Sequence, residues 1–276
     1  MTVQRSVEAL PDALERAAGL ARRLARAPGV IFLDYDGTLS PIARRPEDAV
    51  LDADVREIVR RLADRWPVAI VSGRDLEDVR ALVALDEVAY AGSHGFDIAG
   101  PSGSALRHQV GTDYLPTLHR IAQTLEHSLA GVPGAHVERK RFTVAVHFRL
   151  VVDDDRAGID AAVDAALNDT PALRRTTGKA VYELRPRLDW DKGRAVRWLL
   201  EHTSAPAELV MYIGDDDTDE DAFQALGTED AGIIVTATPR RTHAQYRLSD
   251  PSEVAAFLAE ILRLARGEQA TRSRWR

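Results

Sequence analysis

The chain has 276 residues, of which 45% are hydrophobic and 29% charged, the composition of a folded protein with room for about two domains. Its 36 basic and 43 acidic side chains give a net charge of −7, which argues against a general nucleic-acid binder that neutralises phosphates. The absence of cysteine excludes disulfides, thiolate metal sites and a cysteine nucleophile. No apolar run approaches a membrane span, and we expect a cytoplasmic protein without a membrane partner.

Helical and strand-like segments alternate along most of the chain. Residues 7–26 repeat Ala and Leu at helical spacing, which predicts a helix that begins or breaks near Pro11. Helical patterns also cover Val55–Leu62 and, after a predicted Asp75 cap, Leu76–Val83. Short apolar runs that end in polar segments predict buried parallel strands: Gly29–Leu33, Pro67–Val71, Val88–Ala91, Leu209–Ile213 and Ala231–Val235. The alternation predicts an α/β fold around a parallel sheet.

Residues 106–186 interrupt this alternation and read as an inserted α+β domain. Their patterns predict, in order, a helix over Tyr114–Leu129, an alternating strand over Thr143–Leu150, a helix at 156–168 and a strand over Ala180–Arg185. We therefore expect a core domain of residues 1–105 plus 187–266 and a cap domain of residues 106–186. The polar and basic residues 267–276 are expected to be disordered.

The strongest chemical signal lies at the end of the first predicted strand, where Asp34 and Asp36 precede Gly37. Alternate residues of an extended chain project to the same side, and ligands of α/β sheets bind at the carboxyl ends of the strands. The two carboxylates can therefore converge on one ligand. Taken alone, the pattern also fits an Asx turn that ends a strand.

An acidic segment follows the predicted strand Leu209–Ile213, with six carboxylates among residues 215–221. Such a concentration of negative charge repels itself unless something compensates it. Mg²⁺ is a natural compensator, and it commonly takes one or two carboxylates together with waters and phosphate oxygens. The remaining carboxylates are expected to cap the helix predicted over Ala222–Leu226, and a solvated acidic helix start is the alternative. An EF-hand is excluded, because Glu220 and Leu226 occupy its sixth and twelfth positions.

Two further segments place polar groups at element ends. Ser72-Gly73-Arg74 follows the strand predicted to end at Val71 and offers a hydroxyl and backbone N–H groups. Lys192 stands at the start of a predicted helix, where a cation is disfavoured unless it meets an anion. Together with the aspartates, these groups suit phosphoryl transfer. The sequence has no P-loop, G-x-S-x-G or H-E-x-x-H motif.

The order of these motifs resembles the haloacid dehalogenase superfamily, whose four motifs correspond to Asp34/Asp36, Ser72, Lys192 and Asp215 with its neighbours. Narrower signatures resemble the trehalose-6-phosphate phosphatase family within it: Gly92–Gly95, Val137–Lys140, His147-x-Arg149 and Gly178–Pro186. The likeness covers about residues 29–240 and implies a Rossmann-like parallel-sheet core with an inserted α+β cap of the C2 type. Ser93 and Asp97 stand where Asn and Glu are frequent in that family.

The resemblance also implies roles for individual residues. Asp34 is the implied nucleophile that forms an aspartyl-phosphate, and Asp36 the acid that protonates the sugar oxygen and later the base that activates water. Mg²⁺ is implied on Asp34, the Asp36 carbonyl and Asp215, with Asp216 or Asp219 in support. Phosphate contacts are implied for Ser72, Gly73 and Lys192, and substrate contacts for Arg74, His94, Glu138, Lys140, Arg149, Lys179 and Glu183.

The function implied by the resemblance is Mg²⁺-dependent hydrolysis of trehalose 6-phosphate, the last step of trehalose synthesis, by a monomer whose partner is a small sugar phosphate. The first alternative is a phosphatase of the same superfamily that acts on another sugar or polyol phosphate. The second is a Mg²⁺-dependent binding module without turnover. A receiver-like phospho-acceptor is disfavoured, because Asp36 and the large insert favour rapid hydrolysis over a stable phosphoaspartate.

Overall fold

The computed structural model describes residues 4–26, 28–43, 45, 48–178, 180–204, 206–265 and 274–275. The chain divides into two compact units, and the first, here called the core unit, comprises Met1–His108 and Trp190–Arg276. The second, here called the insert unit, comprises Gln109–Asp189. The divisions fall at 108/109 and 189/190, where the sequence predicts them at 105/106 and 186/187.

The described residues form fourteen strands and eight α-helices. The strands are β1 (Arg5–Ser6), β2 (Gly29–Leu33), β3 (Val68–Val71), β4 (Ala89–Gly92), β5 (Asp97–Ala99), β6 (Arg107–Gln109), β7 (His136–Arg139), β8 (Val144–His147), β9 (Leu173–Gly178), β10 (Val181–Pro186), β11 (Leu209–Gly214), β12 (Ala231–Val235), β13 (Arg241–Thr242) and β14 (Tyr246–Leu248). The helices are α1 (Ala13–Arg26), α2 (Ala53–Ala63), α3 (Leu76–Val83), α4 (Leu115–Leu129), α5 (Asp153–Asn168), α6 (Lys192–Glu201), α7 (Asp219–Ala225) and α8 (Pro251–Leu264). Within the described ranges, none of these helices has the length and hydropathy to cross a membrane.

The core unit is built on a sheet with the strand order β14-β12-β11-β2-β3-β4-β5-β6. The first six strands in that order are mutually parallel, and β5 runs antiparallel to β4. The five strands predicted from apolar runs are confirmed, with bounds that differ by one residue at Pro67, Val88, Gly92 and Gly214. Because β2 lies between β3 and β11, the carboxyl ends of these three strands are neighbours.

Helices cover both faces of the core sheet, which explains why its central strands are apolar throughout. Alternate residues of a strand face opposite sides. Ile31 and Leu33 belong to one buried cluster, together with residues of α1, α2, α3 and α8. Val30 and Phe32 belong to the other, together with residues of α6 and α7, including Phe223. The α/β fold predicted from the sequence is thus confirmed.

The insert unit has an antiparallel sheet in the order β7-β8-β10-β9. Helices α4 and α5 pack together, and their apolar residues form one buried cluster with Val146 and Leu184 of the sheet. The strand predicted over Thr143–Leu150 is too long. The chain turns after β8, the Val151 amide donates to the Phe148 carbonyl at 3.2 Å, and Leu150 is 81% exposed.

Part of the C-terminal segment predicted to be disordered packs on the core unit. Residues 267–273 and 276 lie outside the described residues, but Arg274 and Trp275 are described. The Ser204 amide donates to the Arg274 carbonyl at 2.6 Å, and the Trp275 ring lies 6.5 Å from that of Phe32. Arg274 and Trp275 therefore contact the core unit, and the disorder expected for residues 267–276 stays a prediction.

Candidate active site

Polar side chains follow β2, β3 and β11 at the edge where these neighbouring strands end. Asp34 continues the pairing of β2 with β11, since its amide donates to the Ile213 carbonyl at 2.9 Å. Gly37 has a φ of +84°, and a Cβ on it would collide with the Asp215 carboxylate. The Asp215 carboxylate therefore lies directly against the turn that follows Asp34. The tertiary fold brings together the two carboxylate motifs, which are 181 positions apart in the chain.

Lys192 connects α6 to both carboxylate motifs. It is the first residue of the helix, whose N-cap Asp191 accepts a hydrogen bond from the Arg194 amide. Its Nζ donates to Asp34 Oδ1 and to Asp219 Oδ1, both at 2.8 Å. Burial alone would lower the pKa of Lys192, but the charges of Asp219 and Asp34 raise that pKa well above its ordinary value. The anion that a lysine at this helix end requires is thus supplied by two buried aspartates.

Asp219 organises the start of the acidic segment. Its Oδ1 also accepts from the Tyr212 hydroxyl at 2.5 Å, and its Oδ2 accepts from the Asp215 and Asp216 amides at 3.0 and 3.1 Å. Burial raises its pKa, although Lys192 opposes that effect. The sequence analysis missed Tyr212, whose only signal was a hydroxyl within an apolar strand. With four donors on its two oxygens, Asp219 fixes the backbone that carries Asp215.

Asp216 and Asp217 are exposed, unlike the buried Asp34 and Asp219. Asp216 Oδ1 accepts from the Thr218 amide and hydroxyl at 2.8 and 2.7 Å, and from the Asp219 amide at 3.3 Å. Desolvation of its carboxylate would raise the pKa of Asp216, but Lys192 and the Thr218 hydrogen bond hold it below its ordinary value. Asp217 is 93% exposed and pairs with Arg240. Asp216 therefore stabilises the start of α7, as the sequence predicts for some of these carboxylates.

Asp34, Asp215 and Asp219 form the cluster best suited to a metal ion among the described residues, with one oxygen from each within 4.8 Å of the others. Burial raises the pKa of Asp34 well above its ordinary value, and the neighbouring carboxylates add to that effect while Lys192 opposes it. One lysine compensates three carboxylates only in part, and an all-oxygen donor set suits a hard divalent cation. Because four donors already engage Asp219, Asp34 and Asp215 would hold the cation directly. No observation tests the predicted Asp36 carbonyl ligand.

Asp36 faces Arg74 instead of the carboxylate cluster. Arg74 donates to it through Nε and Nη2, both at 2.7 Å, which is the bidentate geometry that suits a guanidinium and a carboxylate. The guanidinium also lies 5.5 Å from the centre of the Tyr35 ring. The resemblance implied a substrate contact for Arg74, and the pair with Asp36 was not predicted, because the two residues are separated by 38 positions.

His94 lies beside the Ser72-Gly73 turn. Ser93 and His94 both adopt left-handed backbone conformations, with φ of +49° and +56°. The His94 amide donates to the Ser72 carbonyl at 2.9 Å, and a Cβ on Gly73 would lie 2.8 Å from the His94 ring. Asp75 is the N-cap residue of α3, as predicted, but its side chain makes no capping hydrogen bond, and its Oδ1 accepts from Ser93 Oγ at 2.6 Å. This hydroxyl comes 18 positions after Asp75, directly after β4.

The insert unit gathers three of its predicted substrate residues on one face of its sheet. Glu138 and Glu183 both stand opposite Ala145 of β8 and therefore share its face. Lys140 Nζ donates to Glu183 Oε1 at 3.1 Å, and His147 Nε2 lies 2.8 Å from Glu138 Oε2. The hydrogen bond with His147 lowers the pKa of Glu138.

The resemblance also implies substrate contacts for Arg149 and Lys179 of the insert unit. Arg149 lies in the turn after β8 and is exposed, because the strand ends at His147 instead of continuing to Leu150. Lys179 lies outside the described residues.

A parallel sheet with carboxylates at adjacent strand ends, a buried lysine at a helix start and an inserted α+β unit together form a haloacid dehalogenase-like fold. A haloacid dehalogenase-like hydrolase from Bacteroides thetaiotaomicron shares this fold, with a TM-score of 0.59 over 84% of this chain and 98% of that chain, at 16% identity.

The comparisons with known proteins then specify the family. The trehalose-phosphatase family model matches residues 32–252. A trehalose-phosphate phosphatase from Mycobacterium bovis is 43% identical over 271 residues, which cover 96% of this chain and 69% of that protein. The crystal structure of a trehalose-6-phosphate phosphatase related protein has a TM-score of 0.74 and 29% identity, covering 85% of this chain and 97% of that one. The chain belongs to the trehalose-phosphatase family.

Proposed function

We propose that this phosphatase hydrolyses trehalose 6-phosphate to trehalose and inorganic phosphate. The observation that carries the proposal is the buried connection of Lys192 to Asp34 and Asp219, with the Asp215 carboxylate beside the same turn. This arrangement supports Asp34 as the nucleophile, since a cationic side chain and carboxylates suited to a divalent metal lie at the same edge of the sheet. Membership of the trehalose-phosphatase family supports the choice of leaving group.

In the proposed mechanism Asp34 attacks phosphorus, and the bond between phosphorus and the sugar oxygen breaks to leave an aspartyl-phosphate. Asp36 donates a proton to the departing sugar oxygen. Asp36 then takes a proton from water, which attacks the phosphorus and releases Asp34 and inorganic phosphate. Asp34 and Asp215 would hold a divalent cation, which we propose to be Mg²⁺ and which, when bound, would supply positive charge to offset that of the carboxylates and the phosphoryl group.

The other residues at this edge orient the reacting groups. Arg74 holds the Asp36 carboxylate in one orientation through its two hydrogen bonds. Ser72 Oγ accepts from the Arg74 amide at 3.1 Å, so that its own proton can be donated to a phosphate oxygen. Lys192, charged because of its two aspartate partners, offsets the negative charge of the phosphoryl group together with the Gly73 backbone.

We propose that the insert unit is a cap that determines the substrate. Within that unit Glu138, Lys140 and Glu183 would bind sugar hydroxyls together with Arg149 and Lys179, and an unmatched sugar would leave these groups without a sugar partner. Carboxylates accept hydrogen bonds from hydroxyls, and the paired Lys140 and Glu183 offer both a donor and an acceptor. The same proposal takes the enzyme to act as a monomer in the cytoplasm on a dissolved sugar phosphate.

Glu183→Ala is expected to lower kcat/KM for trehalose 6-phosphate by about 10- to 100-fold, the effect of losing a hydrogen bond to a charged group. Turnover of p-nitrophenyl phosphate, which has no sugar to bind, should change by less than about twofold. Glu126→Ala is the matched control, because Glu126 pairs with Arg139 in the same unit but is exposed. Equal losses on both substrates would indicate a folding defect and count against a substrate contact.

The function itself is tested by measuring phosphate release from trehalose 6-phosphate, glucose 6-phosphate and several polyol phosphates, with Mg²⁺ and with a chelator. We expect the highest kcat/KM for trehalose 6-phosphate, complete loss of activity in chelator, and recovery when Mg²⁺ is returned. A higher kcat/KM for another phosphate would select the alternative sugar or polyol phosphatase. No release from any substrate would favour a binding module.

A further inference from the structure

Arg240, between β12 and β13, contacts the acidic segment at three positions. Its Nη1 donates to the Asp215 carbonyl at 3.4 Å, and its Nη2 donates to the Asp217 carboxylate. The same Nη2 lies 3.8 Å from Glu220 Oε1. We propose that Arg240 is a positioning residue that holds the Asp215 turn in the shape that binds the divalent cation. The inference rests on the proposed metal-dependent function and adds a residue to it.

The backbone on both sides of Asp215 is held, which is the physical basis of the proposal. The Asp215 amide donates to Asp219, a residue fixed by Lys192 and Tyr212. The Asp215 carbonyl accepts from Arg240. Because the peptide groups before and after its Cα are both fixed, the Asp215 carboxylate stays against Gly37 and beside Asp34. Lys192 thus restrains the turn from the buried side, and Arg240 from the more exposed side.

Arg240 is itself anchored at both ends. Its backbone carbonyl accepts from the Val7 amide at 3.0 Å, next to the pairing of β1 with β13. Its partner Glu220 accepts from the His243 amide at 2.9 Å and lies 3.0 Å from His243 Nδ1. The Arg240 and Glu220 side chains are 24% and 12% exposed, so the contact is sheltered from solvent. The N-terminal strand therefore contributes, through Arg240, to the geometry of the acidic turn.

Charge and geometry make opposite predictions for the loss of Arg240. A positive charge near a bound cation repels it, so removing the charge alone would strengthen metal binding. Removing a residue that orients a metal ligand weakens metal binding, commonly by ten- to a hundredfold. The sign of the change in Mg²⁺ affinity therefore separates a positioning role from a purely electrostatic one.

The experiment is a calorimetric titration of metal-free protein with MgCl₂ alone, for the wild type and the variants Arg240→Met, Arg240→Lys and Arg241→Met. Arg241→Met is the matched control, because it removes the same charge one residue away. The Arg241 side chain donates to the Gln4 carbonyl. We expect Arg240→Met to raise the Kd for Mg²⁺ about tenfold, and Arg240→Lys to raise it less, since a lysine keeps the charge without the guanidinium fork. Arg241→Met should leave the Kd equal or slightly lower.

An unchanged or lower Kd in Arg240→Met would overturn the inference, and so would a wild type that binds no Mg²⁺. If Arg240→Met fails to fold, the test uses Arg240→Lys. A Kd for Mg²⁺ in Arg240→Lys equal to that of the wild type would also overturn the inference. Turnover of trehalose 6-phosphate by the wild type is measured on the same samples. A wild type that binds Mg²⁺ through an Arg240-dependent site but releases no phosphate would reject the proposed function and leave the positioning role intact.

Discussion

Asp34→Asn is expected to abolish phosphate release from trehalose 6-phosphate, with kcat reduced by about 10⁴-fold or more, the scale on which removal of a nucleophile acts. An amide cannot form the aspartyl-phosphate, although it has nearly the shape of the carboxylate. Its Oδ1 can still accept the hydrogen bond that Lys192 donates. Release of phosphate at the wild-type rate would exclude Asp34 as the nucleophile.

The same variant also tests the electrostatics of the carboxylate cluster. Burial and the neighbouring carboxylates raise the pKa of Asp34, so a neutral side chain at this position relieves repulsion. In chelator the Tm of Asp34→Asn should equal or exceed that of the wild type. Added Mg²⁺ should then stabilise the wild type more than the variant, because only the wild type retains both direct carboxylates. Asp153→Asn is the control, since this carboxylate of the insert unit is 91% exposed. Its Tm in chelator and its stabilisation by Mg²⁺ should equal those of the wild type.

Lys192→Met is expected to lower both stability and activity. The lysine and its two aspartate partners are 2%, 6% and 0% exposed, so its removal leaves buried carboxylates without their cation. Breaking such a buried ion pair costs about 3–5 kcal/mol. For the core unit this corresponds to a fall in Tm on the order of 10 °C in chelator. The activity falls further, because the phosphoryl group also loses its cation.

Lys140→Met is the control for the stability of Lys192→Met, since it breaks another lysine–carboxylate pair whose side chains are 18% and 16% exposed. The Lys140 pair is less buried, and we expect its loss to cost less than that of the Lys192 pair. A fall in Tm no larger for Lys192→Met than for Lys140→Met would show that the Lys192 pair does not stabilise the core.

The sequence predicted the elements of the core well, because its central strands are apolar on both faces and end in distinctive polar segments. Gly29–Leu33 and Ala231–Val235 match the structure at both ends. The strand over Thr143–Leu150 was extended too far, because its alternation continues into a turn in which Leu150 is exposed. The alternation of apolar and polar residues indicates which side chains can share a face. It does not show where a strand ends when the following turn continues the same alternation.

In the acidic segment, residue type alone does not predict which carboxylate is buried and which is exposed. Of the six carboxylates among residues 215–221, one or two were expected to bind a cation and the others to cap a helix, and the resemblance implied Asp216 or Asp219 as a supporting residue. In the structure Asp219 is fully buried on Lys192 and Tyr212, whereas Asp216 caps α7 and Asp217 faces solvent. Which of several neighbouring carboxylates becomes buried depends on the side chains from distant elements that contact it. Those contacts are set by the packing of the fold.

The sequence by itself determined the chemistry available to this protein: the aspartates after β2, the hydroxyl after β3, the lysine that opens α6 and the acidic turn after β11. These follow from local rules, since strand ends and helix starts are encoded by neighbouring residues. Only the tertiary structure decided the pairs Asp36–Arg74, Lys192–Asp219 and Arg240–Asp215. Each joins residues separated by 25 or more positions, and such contacts form only when the sheet and its covering helices have packed.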